Sequence, residues 1–314
     1  MSKSLGNVVD PNKVCEQMGA DILRLWVSSV EYTGDVRVSD TLLKQVSESY
    51  RKIRNTFKFM LGNLFDFDPA KDYVKMEDLC NVDKYMMLKL NEFVGNCRKA
   101  YDSYQFNEVY RQVNNFIASL LSPFYLDFTK DILYIEKPDN KNRRCVQTVY
   151  YEIMLALLKV LTPIIPHTTS EAYQEMPGEK AKDVYLLDMA CVQDYSQYDS
   201  LKKDFDEFVE FRNLVLKALE DARNEKIIGK SFNAHLHIYP DQKTNDLLEL
   251  LNINTAQVLI VSKLTVHEVQ DKLDVKVLAA EGHVCSRCWA VVDTVLEDGL
   301  CPRCHEVVSK RGFF

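Results

Sequence analysis

Glycine is scarce in this sequence, with ten in 314 residues. Nucleotide-binding parallel sheets need glycine turns where strands hand over to helices, so the shortage points away from them and toward helical bundles. No run of about 18 apolar residues occurs, which excludes a membrane-spanning helix. The opening MSKSLGNVVDPNK has no apolar core of the secretory-signal kind. A basic excess is also lacking: 39 Lys and Arg stand against 46 Asp and Glu, a net charge of −7. That argues against whole-surface binding of nucleic acid and leaves local basic patches open. What is present is apolar content of 46% with 11% aromatic, ample for packed cores. The length suggests roughly two domains with an appendage.

The apolar spacing is mostly helical. Pro11 to Met18 is a short helix that Asp10 would cap, and Ala20 to Val27 is a second apolar run. Asp40 is expected to cap a long helix burying Leu43, Val46, Tyr50, Ile53, Phe57, Leu61 and Leu64, residues spaced by three and four. Asp66-Phe67-Asp68-Pro69 ends it. Asp83 would cap a helix through Tyr101, Asn107 one through Leu120, and a third would run from Val146 to Leu161 before Pro163 and Pro166. Short connections between such helices make an antiparallel bundle. Residues 185–199 read as an irregular link, and Leu201 to Asn224 as a further helix. The β-branched runs His235 to Tyr239, Val258 to Val261 and Val275 to Ala279 predict strands, with Asn245 to Leu251 helical between the first two.

Nine cysteines is an odd number. Cys15, Cys80, Cys97, Cys145 and Cys191 are scattered through helical patterns, as suits thiols in a reducing, cytoplasmic compartment better than a disulfide framework. The other four form two knuckles, Cys285-Ser-Arg-Cys288 and Cys301-Pro-Arg-Cys304, with twelve residues between them. Two C-x-x-C pairs at this spacing set four soft thiolates at tetrahedral corners, the donor set of one structural Zn2+. Asp298-Gly299 supplies a turn for a ribbon hairpin between them. Two disulfides or redox pairs are the competing reading, but redox C-x-x-C pairs start helices in a βαβ setting, which is absent. Four thiolates leave no open position for catalysis. His283 and His305 flank the site as spare ligands. Trp289 either stacks on a nucleobase or, as expected here, covers the ribbon.

Met1-Ser2-Lys3-Ser4 is weak as a tetrapeptide, but SLGNVVDPNKV, GADILRLWVSSVEYTGDVRVSD and KQVSESYRKIRNTFKFMLGNL follow it. That run resembles the signature loop of class I aminoacyl-tRNA synthetases and the sequence after it. ADILRLWV with YTGDVRVSD resembles the bacterial-type isoleucyl-tRNA synthetases rather than the valyl or leucyl enzymes. The terminal cysteine module is similar to theirs too, and the resemblance runs through nearly the whole chain. The chain would then be a C-terminal portion starting within the Lys-Met-Ser-Lys-Ser loop.

The resemblance implies a mainly α fold: a stem-contact region at 1–75, a helical-bundle anticodon-binding domain at 76–200, a helix with a small α+β unit at 201–281, and a zinc ribbon at 282–314. Met1, Ser2, Lys3 and Ser4 would match the ATP-binding loop, Lys3 offsetting charge on the ATP phosphates as pyrophosphate leaves. ATP with Mg2+ would belong to the full-length enzyme. None of the six histidines lies in an H-x-x-H, and the Rossmann half and the editing domain would lie upstream. This stretch alone is therefore expected to bind tRNA(Ile) and zinc as a monomer, without catalysis. Arg51, Lys52, Arg54 and Lys58 on one helix are candidates for RNA phosphates, as are Arg143 and Arg144; Arg98-Lys99 and Arg223 to Lys230 add positive charge. Ordinary solvated helix surface is the competing reading for each cluster.

Other signals carry less. Gly229-Lys230-Ser231 is no phosphate loop, because Asn224 stands where a glycine is required and no strand precedes it. His235 and His237 share a strand face without a third ligand at usable spacing, so they are expected to face solvent. His167 reads as a local hydrogen-bonding residue at a helix start. A free-standing zinc-containing RNA-binding module derived from a synthetase is the alternative to a ligase fragment, and the upstream reading frame would discriminate them.

Overall fold

A computed structural model describes residue 4 and residues 8–309. The helices are α1 (Pro11–Met18), α2 (Ala20–Ser29), α3 (Asp40–Asn63), α4 (Asn81–Asp102), α5 (Phe106–Asn115), α6 (Asp127–Ile135), α7 (Lys141–Leu161), α8 (Pro166–Gln174), α9 (Asp199–Asn224), α10 (Gln242–Leu251), α11 (Thr255–Val258) and α12 (Pro302–Ser309). A π-helical segment, Phe116–Leu126, contains Pro123 and joins α5 to α6. The strands are β1 (Ala234–Tyr239), β2 (Lys263–Val266), β3 (Asp274–Ala279), β4 (His283–Val284) and β5 (Val291–Val292). No helix among the described residues is long and apolar enough to cross a membrane.

The chain divides into two compact units, each assembled from separate stretches. The first takes the residues up to Val74, Met86–Tyr125 and Gln147–Asp194. In it α3 buries Leu43, Val46, Ile53 and Phe57 as its apolar spacing predicts, and Leu64 just beyond it; Met60 is buried as well, while Tyr50 and Leu61 are only half-buried. Tyr125 and Tyr150 meet edge to face at 5.9 Å, and Phe93 stacks on Phe116 at 4.7 Å. Gln147 donates to the Asn63 carbonyl at 2.9 Å and to Asp66 at 2.7 Å, closing the end of α3.

The second unit takes Lys75–Tyr85, Leu126–Val146 and the chain from Tyr195 onward. Tyr85 stacks on Phe205 of α9 at 5.0 Å and donates its hydroxyl to Asp206 at 2.9 Å. Burial of Phe205 and Phe208, both 0% exposed, contributes on the order of 2 kcal/mol each. The sheet runs β2-β1-β3, parallel between β1 and β2 and antiparallel between β1 and β3. Leu236 and Ile238 fill its inner face, while His235, His237 and Tyr239 stand on the half-exposed one.

Several boundaries differ from the sequence reading. Ser39, not Asp40, caps α3 by accepting from the Leu42 amide at 3.3 Å. Asp83 lies inside the first turn of α4, and Asn107 lies inside α5. The apolar run Val258 to Val261 is not a strand. Asn254 caps α11 there, Ile260 takes a left-handed φ of 58°, and the strand begins at Lys263. A capping side chain and one left-handed residue outweigh β-branched content over so short a stretch.

Candidate metal centre and basic face

The four knuckle cysteines converge. Their sulfur atoms all lie within 4.8 Å of one another, and the residues are 0 to 8% exposed. Cys288 Sγ and Cys301 Sγ stand 3.8 Å apart. Two metal–sulfur bonds of about 2.3 Å at a tetrahedral angle require a separation of about 3.8 Å, so the arrangement fits a metal and not a disulfide.

The backbone builds the first knuckle. Trp289 adopts φ 62° and donates its amide to the Cys285 carbonyl at 2.9 Å, while the Cys285 amide reaches the Ala290 carbonyl at 3.0 Å. Gly282, at φ 133°, is needed because a Cβ there would lie 2.3 Å from the Val292 carbonyl oxygen. The strands β4 and β5 therefore pair across this knuckle, whereas the sequence placed the hairpin between the two knuckles. The second knuckle instead opens α12, with Cys301 just before it and Cys304 in its first turn.

Electrostatics bias the cluster toward thiolate at one corner. Burial pushes the Cys285 thiol up, but the amides of Cys288, Cys301 and Arg287 aim at it and bring it to about 6. The Cys301 amide is 3.2 Å from its sulfur. Burial pushes Cys288 up, and pushes Cys304 to about 11 against the pull of the Arg287 guanidinium. A bound cation would take all four as thiolates, displacing their protons.

The module is mounted on α6. Ile135 belongs to the same buried cluster as the four cysteines and Leu300. Arg303 holds Asp131 at 3.1 Å and Glu136 at 2.7 Å, Lys137 pairs with Glu306 at 2.8 Å, and Arg287 donates to the Tyr134 and Ile135 carbonyls. Nothing in the local sequence announces these partners. The spare histidines take no part: His305 bonds Asp298 at 2.7 Å and His283 is exposed. Trp289 is 70% exposed, so the expectation that it covers the ribbon is corrected.

The basic candidates separate. Met1, Ser2 and Lys3 lie outside the described residues, and Ser4 is exposed. Arg54 grips Glu171 with both Nη atoms, at 2.8 and 3.3 Å, and Glu171 and Tyr50 hold it firmly charged. Arg51 pairs with Glu48 at 3.2 Å. Lys52 and Lys58 are exposed and form no ion pair among the described residues. Lys58 lines a cleft of about 690 Å³ with Arg54, Glu171 and Phe65, whose ring is 81% exposed. Arg143 is 4% exposed and donates to the Leu133 carbonyl, tying α7 to α6. Arg144 is half-buried.

The sheet histidines stand on the half-exposed face, as expected, and also engage neighbouring side chains. His235 bonds Thr265 at 2.8 Å, and His237 Nδ1 meets Nε2 of His267 at 2.9 Å, with Tyr239 stacked on His267 at 4.1 Å. The parallel pairing of β1 with β2 brings up His267, which sequence spacing missed.

Residues 83–238 match the anticodon-binding domain of tRNA ligases, and residues 1–39 match the class I tRNA synthetases of the I, L, M and V group. An isoleucine-tRNA ligase of Geobacillus thermodenitrificans is 49% identical over 99% of this chain, and one of Bacillus licheniformis 48% identical over 98%. Over nearly its whole length the chain is similar to isoleucine-tRNA ligases. It spans 35% of the length of each of these relatives and corresponds to their C-terminal part. A solved ternary complex of a LeuRS with tRNA and LeuAMS, from Agrobacterium radiobacter K84, aligns at a TM-score of 0.48 and 18% identity. It covers 64% of this chain and 22% of that one, too loose a match to add to the assignment. In this chain the four-cysteine cluster lies beyond the anticodon-binding match, and the α3 basic face lies between the two matched segments.

Proposed function

We propose that these residues are the tRNA-binding part of an isoleucine-tRNA ligase, which joins isoleucine to tRNA(Ile) through an aminoacyl-adenylate made from ATP with Mg2+. The observation that carries this reading is the 49% identity over 99% of the chain, together with an anticodon-binding match over residues 83–238. Residues 1–75 contact the tRNA stem and the helices about 76–200 carry the anticodon loop, acting as a monomer in the cytoplasm. Lys52 and Lys58 supply phosphate contacts, which position RNA without reading sequence. The exposed Phe65 ring, beside Lys58, offers a face on which an unpaired base stacks. Lys3, with Ser2 and Ser4 shaping the loop, offsets phosphate charge at adenylate formation. Cys285, Cys288, Cys301 and Cys304 hold one structural Zn2+, whose chemistry is to fix four thiolates and so fold the terminal module.

The test is binding of tRNA(Ile) to the 314-residue chain across a salt series. Affinity falls steeply with salt, and Lys52→Ala and Lys58→Ala each lower the log–log slope by about one. A flat dependence sinks the basic-face assignment. The same chain should give no isoleucine-dependent pyrophosphate exchange, and clear turnover would show it to be catalytic by itself.

A further inference from the structure

A second convergence of metal-ligating groups lies apart from the terminal knuckles in sequence. Cys80, Asp83 and Cys145 bring two sulfurs and a carboxylate oxygen within 4.8 Å of one another. Cys80 immediately precedes α4, its carbonyl accepting the Lys84 amide at 2.9 Å. Asp83 lies in the first turn of α4 and Cys145 in the second turn of α7. Asp83 is 2% exposed and Cys145 is fully buried, while Cys80 is half-exposed and gives the cluster an opening to solvent. The Asn142 side-chain oxygen is 3.4 Å from the Cys80 sulfur.

We infer that Cys80, Asp83 and Cys145 form a second metal site, taking a borderline-soft divalent cation of the Zn2+ class between the N-terminal ends of α4 and α7.

The donor set decides the class of ion. Two thiolates select against Mg2+ and Ca2+, which require oxygen ligands, and the single carboxylate is compatible with Zn2+ and Co2+. Three protein donors leave a fourth position, reached from the half-exposed Cys80 side, for water or for the Asn142 oxygen. Binding displaces the two thiol protons to solvent, and the three ligands then carry three negative charges against the two of the cation. Lys84 and Lys141, in the first turns of α4 and α7, lie near Cys80 and offset part of that excess. The open end of each helix adds a partial positive charge in the same sense. A simple disulfide would need neither the buried carboxylate nor the two lysines. The consequence is a clip joining two helix starts some 65 residues apart in the chain, independent of the terminal knuckles.

The test counts metal on the full 314-residue chain, purified under reductant, equilibrated with Zn2+ and then freed of excess. The wild type retains about two equivalents and Cys80→Ser about one, as does Cys285→Ser, because the two sites fill independently. With Co2+ as the probe, Cys80→Ser removes about a third of the thiolate-to-cobalt absorption, two thiolates of six. If Cys145→Ser, at a buried position, fails to fold, the half-exposed Cys80→Ser and Asp83→Asn still decide the matter. About one equivalent on the wild type overturns the assignment, and so does retention of two equivalents by Cys80→Ser. A thiol count showing Cys80 joined to Cys145 in chain purified without reductant, and still joined in the presence of Zn2+, also overturns it.

Discussion

Arg303 sits two residues past Cys301 and reaches back 172 residues to Asp131, which it meets through both Nη atoms at 3.1 Å. Its Nε donates to Glu136 at 2.8 Å, so one guanidinium bridges two carboxylates at the end of α6. Burial works against the Arg303 charge, but Asp131 and Glu136 outweigh it and hold the group more firmly charged than usual.

Arg303→Leu should detach the metal module from α6 without removing a ligand. The two carboxylates left behind are 15 and 19% exposed, while Arg303 itself is partly solvated, so the expected loss is about 1–2 kcal/mol. Denaturant unfolding monitored at the module checks this. Metal content should remain at the wild-type value, and loss of metal in this variant would mean that the mounting and the ligand set are not separable.

Cys301→Ser removes a ligand outright. The described module buries too little apolar surface to fold by itself, so metal loss should unfold the chain from about Gly282 onward. The helices of the first unit should persist, because α12 is the single helix within the module. Circular dichroism together with metal analysis decides it: a helical signal falling by more than α12 and its α6 support can supply contradicts the expectation.

Asp21→Ala tests a cap made from a distance. Asp21 accepts the Thr168 amide at 2.7 Å and its hydroxyl at 2.6 Å, and so caps α8 from α2. Losing a buried cap should cost about 2 kcal/mol, with Asp21→Asn recovering about half. The comparison is of urea midpoints at constant slope. An unchanged midpoint for Asp21→Ala would mean that α8 draws nothing from this contact.

His237 gives the sheet a pH dependence. Burial, followed by the charges of His235 and His267, pulls its pKa below the ordinary 6.5. The folded state therefore binds fewer protons than the unfolded one as pH falls below about 6.5. Stability should be flat above about pH 7.5 and decline on acidification through that value, and His237→Gln should soften the decline. Thermal midpoints between pH 7.5 and 5.5 measure it, and equal slopes in the two proteins would remove His237 from the account.

The helices were legible because their information is local. Leu43, Val46, Ile53 and Phe57 repeat at helical spacing, and Asp10 caps α1 from the adjoining residue. The metal ligands were legible for the same reason, since two C-x-x-C steps fix their own geometry. Where two local signals compete, as at Ser39 against Asp40, sequence sets the neighbourhood and backbone geometry picks the residue. Trp289 is exposed because the left-handed turn that closes its knuckle directs it outward, a preference its apolar character does not encode.

By itself, then, the sequence determined the mainly helical class, the four thiolate ligands and the family resemblance, all of which rest on residues a few positions apart or on motif order. The tertiary structure alone decided which basic side chains remain exposed, burying Arg143 and binding Arg54 to Glu171. It also decided that His267 meets His237, that Ile135 floors the metal cluster, and that Cys80 and Asp83 meet Cys145. Each of these is a contact across tens of residues or more. Such contacts are set by how whole helices and strands pack, which no window of local spacing contains.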